Sequence, residues 1–302
     1  MNKITVIGSV SMDMVTQTQN IPSGGETVLG ERFDTFPGGK GANQAVAISR
    51  LSKERVNFIG GVGEDRFGQT LLDYLKKEYI LVDNVETFPV PTGIAQITVY
   101  KNDNRIIIIP GANNEVNSDT WTEKEWKVIS DSELVIIQNE IPYNTNLNIA
   151  KFCKNNNVPV IFNPAPSRKN DVDILELVDF ATPNEYEIKN MFPNLSIEDV
   201  LARFPNKLII TLGEKGVAYH NGKDVVIIPS IKTDVIDTTG AGDTFNGAFA
   251  LGIVNRLSIE EAIKFGIIAS HLSIQKKGAQ GGMPTLTEME KNKHYEKKWN
   301  IK

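Results

Sequence analysis

From residue 134 onward, short apolar runs alternate with stretches whose apolar residues recur at helical spacing. The runs are 134–138, 158–162, 180–182 and 208–212. Between them lie a segment through Ala150 and Cys153 and an amphipathic stretch at 174–178. A run with almost no polar alternation suits a strand buried on both faces, and helical crossovers between such strands build a parallel sheet covered on both sides. The first third reads differently. Residues 94–100 and 105–109 are β-rich and are joined by Lys101-Asn-Asp-Asn104, which predicts an antiparallel hairpin. Glycines at 38–41 and 60–63 punctuate this region, 46–51 has a helical pattern, and the apolar start ending at Gly8 predicts a first strand. A hairpin in an otherwise α/β chain implies a small β appendage, such as a lid. Residues 288–302 are charged and predict a short surface helix or a frayed tail.

Composition narrows the chemistry. With 40% hydrophobic and 23% charged residues, the 302-residue chain has the makeup of a soluble globular protein. Its single cysteine, Cys153, allows no intrachain disulfide and no thiolate cluster, and His220, His271 and His294 are too scattered for a zinc site. A net charge of −5 with dispersed Lys and Arg gives no electrostatic footprint for nucleic acid. The longest apolar run near the middle, 106–109, is far below a membrane span, and the start of the chain is too short for a signal peptide, so a cytoplasmic protein is expected.

Three strings carry candidate chemistry. Asp237-Thr-Thr-Gly-Ala-Gly-Asp243-Thr-Phe-Asn-Gly247 leads into an apolar helical stretch. Small residues at Gly240, Ala241 and Gly242 leave the first N–H groups of that helix open to an anion, and the helix dipole adds to the attraction. Asp243 in the first turn is a carboxylate placed to take a proton from an attacking hydroxyl; read alone, such a string is more often an ordinary Asp near a helix start after a turn. Phe36-Pro-Gly-Gly-Lys-Gly-Ala-Asn-Gln44 allows close backbone approach at Gly38, Gly39 and Gly41, while Lys40 and Asn43 can bond hydroxyls; it matches no Walker A loop. Thr182-Pro-Asn-Glu-Tyr-Glu187 places Asn184 and Glu187 on one face of a starting helix. They could hold Mg²⁺ through water, or serve simply as a helix cap.

The strings gain meaning from their order. Gly-Gly-Lys-Gly-Ala-Asn early, Asn163-Pro-Ala-Pro166 midway, then Thr182-Pro-Asn-Glu185, Thr211-Leu-Gly213 and Asp237-Thr-Thr-Gly-Ala-Gly-Asp243 together resemble the ribokinase branch of the PfkB carbohydrate kinases, from Gly8 to about Pro284. The resemblance implies one doubly wound, mostly parallel α/β domain over 1–302, with a discontinuous β lid from about 11–17, 31–37 and 91–111. It implies ATP-dependent phosphorylation of the primary hydroxyl of a small sugar, with Asp243 as base and the 240–242 backbone as anion hole. Ser11, Asp13, Gly39, Lys40, Gly41, Asn43 and Glu140 fall at sugar-binding positions. Asn184, Glu187, Thr211, Gly213, Gly216 and Gly242 fall on the nucleotide and Mg²⁺ side, and Ile267 beside the adenine. Asp237, Thr239, Ser273, Lys276, Gly278 and Gly282 match the positions around a monovalent cation, K⁺, several of them through carbonyls.

One departure bears on the substrate. Such kinases carry Asn-x-Asp after the first strand, whereas this chain has Ser11-Met12-Asp13. Ribose is the expected sugar, and 2-deoxyribose, another small sugar or a nucleoside are the alternatives. A sugar-sensing protein without catalysis is the reading from a different class. Residues 106–109 include no polar member, so a lid exposed to water would show an apolar patch and an open edge, and pairing with the same lid of a second copy would cover both. A homodimer through 94–109 is therefore expected.

Overall fold

The computed structural model describes residues 4–52, 54–101, 103–299 and 301. The expected first strand, hairpin turn and charged tail include residues 1–3, Asn102, 300 and 302, which lie outside the described residues. Thirteen strands are described: β1 Ile4–Ile7, β2 Ser11–Gln17, β3 Arg32–Gly38, β4 Val56–Gly63, β5 Ile80–Phe88, β6 Ile94–Tyr100, β7 Asp103–Ile109, β8 Leu134–Gln138, β9 Val160–Asn163, β10 Phe180–Ala181, β11 Ile209–Thr211, β12 Val217–His220 and β13 Val225–Ile228.

The main sheet has six strands in the order β10-β9-β8-β1-β4-β5, all paired in parallel. Its apolar runs are explained by the two cores beneath it. Val6, Phe58, Ile136 and Ile161 face one cluster, packed by helices Lys40–Leu51, Ala241–Val254 and Ile259–Ser273. Ile7, Ile59, Ile137 and Phe162, one residue further on, face the other, packed by helices such as Tyr143–Asn156. Period-two alternation thus sends successive residues into different cores, and apolar side chains dominate both faces.

The run at 208–212 was expected as one more parallel strand. Leu208 and Thr211 do bridge in parallel to Ala181 and Asn184, but β11 then pairs antiparallel with β12, and β12 with β13. The expected hairpin is β6–β7, registered from Ile94 opposite Ile109 to Tyr100 opposite Asp103. It belongs to a four-stranded sheet, β3-β2-β6-β7, in which β2 and β6 run parallel. Every residue of β7 is exposed.

The charged tail is anchored. Trp299 is 3% exposed and meets Phe265 edge-on at 5.7 Å and Tyr295 at 5.3 Å. Isolated aromatics in a charged stretch were the signal for this. No helix among the described residues is long and apolar enough to cross a membrane.

Candidate active site

The parallel strands deliver their functional loops at one edge of the sheet. After β1 come Gly8, Ser9 and then Asp13; after β8, Glu140; after β9, the Asn163 segment; after β10, Asn184 and Glu187. Carboxyl ends of parallel strands are where doubly wound sheets place ligands.

Close backbone approach dominates near β1. A Cβ on Gly8 would lie 1.9 Å from Gln138 Oε1, so Gly8 makes room for an amide rather than for a dinucleotide. A Cβ on Gly39 would lie 2.8 Å from Val10 Cα, and one on Gly41 2.7 Å from Ser9 N. These contacts seat the start of helix Lys40–Leu51 on the 8–11 segment, where Ala42 N donates to Ser9 O at 2.9 Å. Glu140 closes the corner: its Oε2 accepts from Ser9 Oγ at 2.5 Å and from Lys40 N at 2.9 Å.

Asp243 lies in the first turn of helix Ala241–Val254 and is 6% exposed. Asn43 Nδ2 donates to its Oδ2 at 2.9 Å and Gln44 Nε2 to its Oδ1 at 3.0 Å. Two neutral donors satisfy the buried carboxylate without an ion pair in contact. Lys40 sits in the field of Asp243 and, more weakly, Glu140 and Glu187, which together hold its ammonium above the ordinary lysine range. Asp13 is the counterpart. Burial, together with the charges of Glu140 and Asp243, pushes its carboxyl up to about 7, while Ser11 offers only a long 3.5 Å hydrogen bond.

Gly240 caps the Asp243 helix at φ 75, and a Cβ there would lie 2.8 Å from Ala279 Cα. A Cβ on Gly242 would have nothing within 4 Å, so that face of the helix start is open. Asp237 ties two segments together, accepting from Thr239 N at 2.9 Å and Gly278 N at 2.8 Å. Burial alone would raise its pKa, but the bonds from Thr239 and Gly278 and the charge of Lys277 outweigh it and hold the carboxyl below its ordinary range. Ser273 O faces Gly282, where a Cβ would lie 2.2 Å away. Lys276 sends its ammonium to Glu288 at 2.8 Å, so only its backbone is left to face this loop.

Across the edge, Asn184 and Glu187 form a reciprocal cap: Glu187 N donates to Asn184 Oδ1 at 2.9 Å and Asn184 N to Glu187 Oε2 at 2.7 Å. Both the cap and the ligand readings of this string therefore remain chemically available. Burial raises the Glu187 carboxyl despite the Asn184 N–H and the charge of Lys40. Thr211 sits opposite Asn184, and the 211–216 turn closes with Leu212 N donating to Gly216 O at 2.8 Å, around Gly213. Ile267 lies in helix Ile259–Ser273, 7% exposed and packed into the first core. One turn away, Ser270 Oγ donates to Ala241 O at 3.0 Å, linking that helix to the Asp243 turn. Sequence reasoning did not single out Gln44, Gln138 or Gln280 as site residues. Gln44 stood inside a quoted string, and the other two carried no local signal.

An open sheet edge, a helix start with an unobstructed face and a buried carboxylate at that start suit a small-molecule phosphotransferase of α/β type. The model of the pfkB family carbohydrate kinases matches residues 1–286, and the chain belongs to that family. It is 57% identical over 289 residues to a ribokinase of Lactococcus lactis, covering 96% of each chain. Among solved structures it resembles the ribokinase of Thermotoga maritima, with 36% identity, a TM-score of 0.89 and coverage of 96% and 98%. It also resembles an Arabidopsis thaliana ribokinase complexed with ribose and ATP, at 30% identity, a TM-score of 0.88 and coverage of 96% and 98%.

Proposed function

We propose that this carbohydrate kinase transfers the γ-phosphoryl group of ATP to the 5-hydroxyl of ribose, with Asp243 as general base. The observation that carries the reading is a buried Asp243, held by Asn43 and Gln44, one residue from the open face at Gly242. The sugar hydroxyl gives its proton to Asp243 as its oxygen forms a bond to the γ-phosphorus. The bond from that phosphorus to the β-bridging oxygen breaks, ADP leaves, and the proton passes to solvent. Backbone N–H groups of Gly240 and Gly242 face the developing charge, while the expected third donor, Ala241 N, is turned to Thr238 O at 3.2 Å. Asp13, Lys40, Asn43, Glu140 and the backbone of Gly39 and Gly41 hold the remaining hydroxyls, with Ser11 beside them. Asn184, Glu187, Thr211, Gly213, Gly216 and Ile267 line the nucleotide side. Because ATP is the donor, we place the enzyme in the cytoplasm.

Asn184 and Glu187 offer oxygen donors suited to Mg²⁺ held through water, and that ion supplies charge neutralisation on the phosphates. The loop built by Asp237, Thr239, Ser273, Lys276, Gly278 and Gly282 suits a monovalent cation, since Asp237 is held ionised and joins two carbonyl-bearing segments. Bound there, K⁺ supplies a fixed positive charge beside the 240–242 turn. The test is ADP release from MgATP with ribose, 2-deoxyribose, hexoses and nucleosides, in K⁺, Na⁺ and Tris at constant ionic strength. Ribose is expected to give the highest kcat/KM and K⁺ the highest rate. A nucleoside or hexose preferred tenfold over ribose overturns the substrate, and equal rates in all three salts remove the cation. Preference for 2-deoxyribose is the second reading, favoured by the single hydroxyl of Ser11 and its long bond to Asp13.

Asp13 adds a pH signature. An acid raised to about 7 stays protonated in the free enzyme below that pH, whereas in the unfolded chain it ionises near 3.8. Its contribution to stability is therefore present at low pH and lost as pH rises from about 4 to about 7. Ribose binding has the opposite sign, because only the carboxylate accepts two hydroxyls. kcat/KM for ribose is expected to climb through about pH 7, and Asp13→Asn to erase that limb while raising KM. A limb that survives in Asp13→Asn refutes the assignment.

The lid is proposed to form a homodimer interface. Ile106, Ile107, Ile108 and Ile109 are 45–66% exposed on β7, whose outer edge is unpaired among the described residues. Light scattering should give a dimer for the wild type and a weakened one for Ile107→Lys or Ile108→Lys. A wild type monomeric at micromolar concentration, or a dimer that neither lysine disturbs, argues against this interface.

A further inference from the structure

Each oxygen of Asp243 faces an amide N–H, and each of those amides has its own carbonyl occupied by another amide. On one side Gln280 Nε2 donates to Asn43 Oδ1 at 2.8 Å, and Asn43 Nδ2 to Asp243 Oδ2 at 2.9 Å. On the other, Gln138 Nε2 donates to Gln44 Oε1 at 2.8 Å, while Gln44 Nε2 serves Asp243 Oδ1 at 3.0 Å and Asn163 Oδ1 at 3.2 Å. Both chains run in the same sense because an ionised carboxylate only accepts. Their outer ends, Gln280 Oε1 and Gln138 Oε1, are buried with no hydrogen-bond partner among the described residues. Gln44 and Gln138 are 0% exposed and Gln280 is 4%. The main chain of Gln280 is held in place: Arg50, on the same helix as Asn43, donates to Gln280 O and Met283 O and pairs with Glu78 at 2.6 Å.

We propose that Gln280 and Gln138 are positioning residues for the base, fixing which end of the Asn43 and Gln44 amides faces Asp243. The inference rests on Asp243 accepting the sugar proton. An Asn or Gln amide can turn over with little steric change, exchanging its NH₂ for its oxygen. Once Asp243 carries the proton it becomes a donor, and an unrestrained amide would turn its oxygen inward to accept from it. The outer glutamines oppose that turn, because it would set NH₂ against NH₂ at Gln280 and Gln138 unless those amides turned in concert with it. Asp243 therefore keeps N–H donors on both oxygens throughout turnover, an environment that favours the carboxylate and hands the proton on.

Single-turnover phosphoryl transfer at saturating ribose and MgATP, measured from pH 5 to 9, tests this in Gln280→Met and Gln138→Met. Each removes the donor while keeping similar bulk. The acid limb is expected to lie at higher pH in each variant than in the wild type, because an amide facing Asp243 is no longer held with its N–H inward. The plateau should fall a few-fold, with KM for ATP unchanged. Limbs that overlay the wild type in variants with native thermal unfolding overturn the proposal, and if one variant fails to fold the other arm decides. Asp243→Asn, run alongside, separates the two levels. Retained turnover there removes the base on which the inference stands, whereas lost turnover with unmoved limbs in the Met variants refutes the positioning role alone.

Discussion

Asp243→Asn is expected to lower kcat by about 10²–10⁴-fold while ribose affinity changes little. The substitution keeps the shape of the side chain but removes its capacity to take a proton. It also introduces an NH₂ group against Asn43 Nδ2 or Gln44 Nε2, which now donate to the carboxylate. One of these amides must turn, so a small loss of stability should accompany the loss of turnover. Titration of ribose by calorimetry beside steady-state kinetics checks both parts. Turnover within tenfold of the wild type would take Asp243 out of the chemistry.

The second large effect is expected from a methyl group. Gly41→Ala would place a Cβ 2.7 Å from Ser9 N and 2.8 Å from Gly8 C and Ser9 O, all main-chain atoms that cannot rotate aside. Either the 8–11 segment or the start of helix Lys40–Leu51 must back away, at a cost of about 1–3 kcal/mol. That helix start presents Asn43 and Gln44 to Asp243 and Lys40 N to Glu140. A displacement of about 1 Å in groups that orient a reacting centre can cost on the order of 10²-fold in rate. We expect kcat to fall by that order, with a measurably lower midpoint of thermal unfolding. Wild-type kinetics in a folded Gly41→Ala protein would show that the close approach has no bearing on the site.

Much of the architecture was legible because burial on two faces writes itself into sequence. Residues 134–138 could be read as a sheet-centre strand since a half-exposed strand would have needed polar alternation. The hairpin was visible for the opposite reason, with turn residues standing between two β-rich runs. What escaped was pairing that composition does not record. The antiparallel β11–β12–β13 unit looked like one more parallel strand, because an apolar run carries no direction. The parallel contact of β2 with β6 was equally silent. In the candidate site, Asp243 and Asn43 stood in distinctive strings, and chemistry-bearing residues in glycine-rich loops are easy to notice. Gln138 and Gln280 were hidden because an amide at a strand end or in a short turn has many ordinary uses. Only the three-dimensional placement makes them a pair.

The centre of the sheet has a consequence for how the molecule comes into being. β1 is flanked by β4 and β8, and Ile4 is registered against Leu134. Asn43 meets Asp243 across 200 positions of chain, and Gln280 meets Asn43 across 237. Contacts of such long range must await closure of large loops, which makes folding slow relative to chains rich in local contacts. The earliest strand remains half-partnered until β8 has been made, leaving an adhesive edge in the nascent or refolding chain. The base, its amide donors and the turn beside it can come together only when both ends of this span are in place. Regain of activity on refolding is then the last signal to appear, later than helix content or collapse, and it reports the moment at which the whole topology has closed.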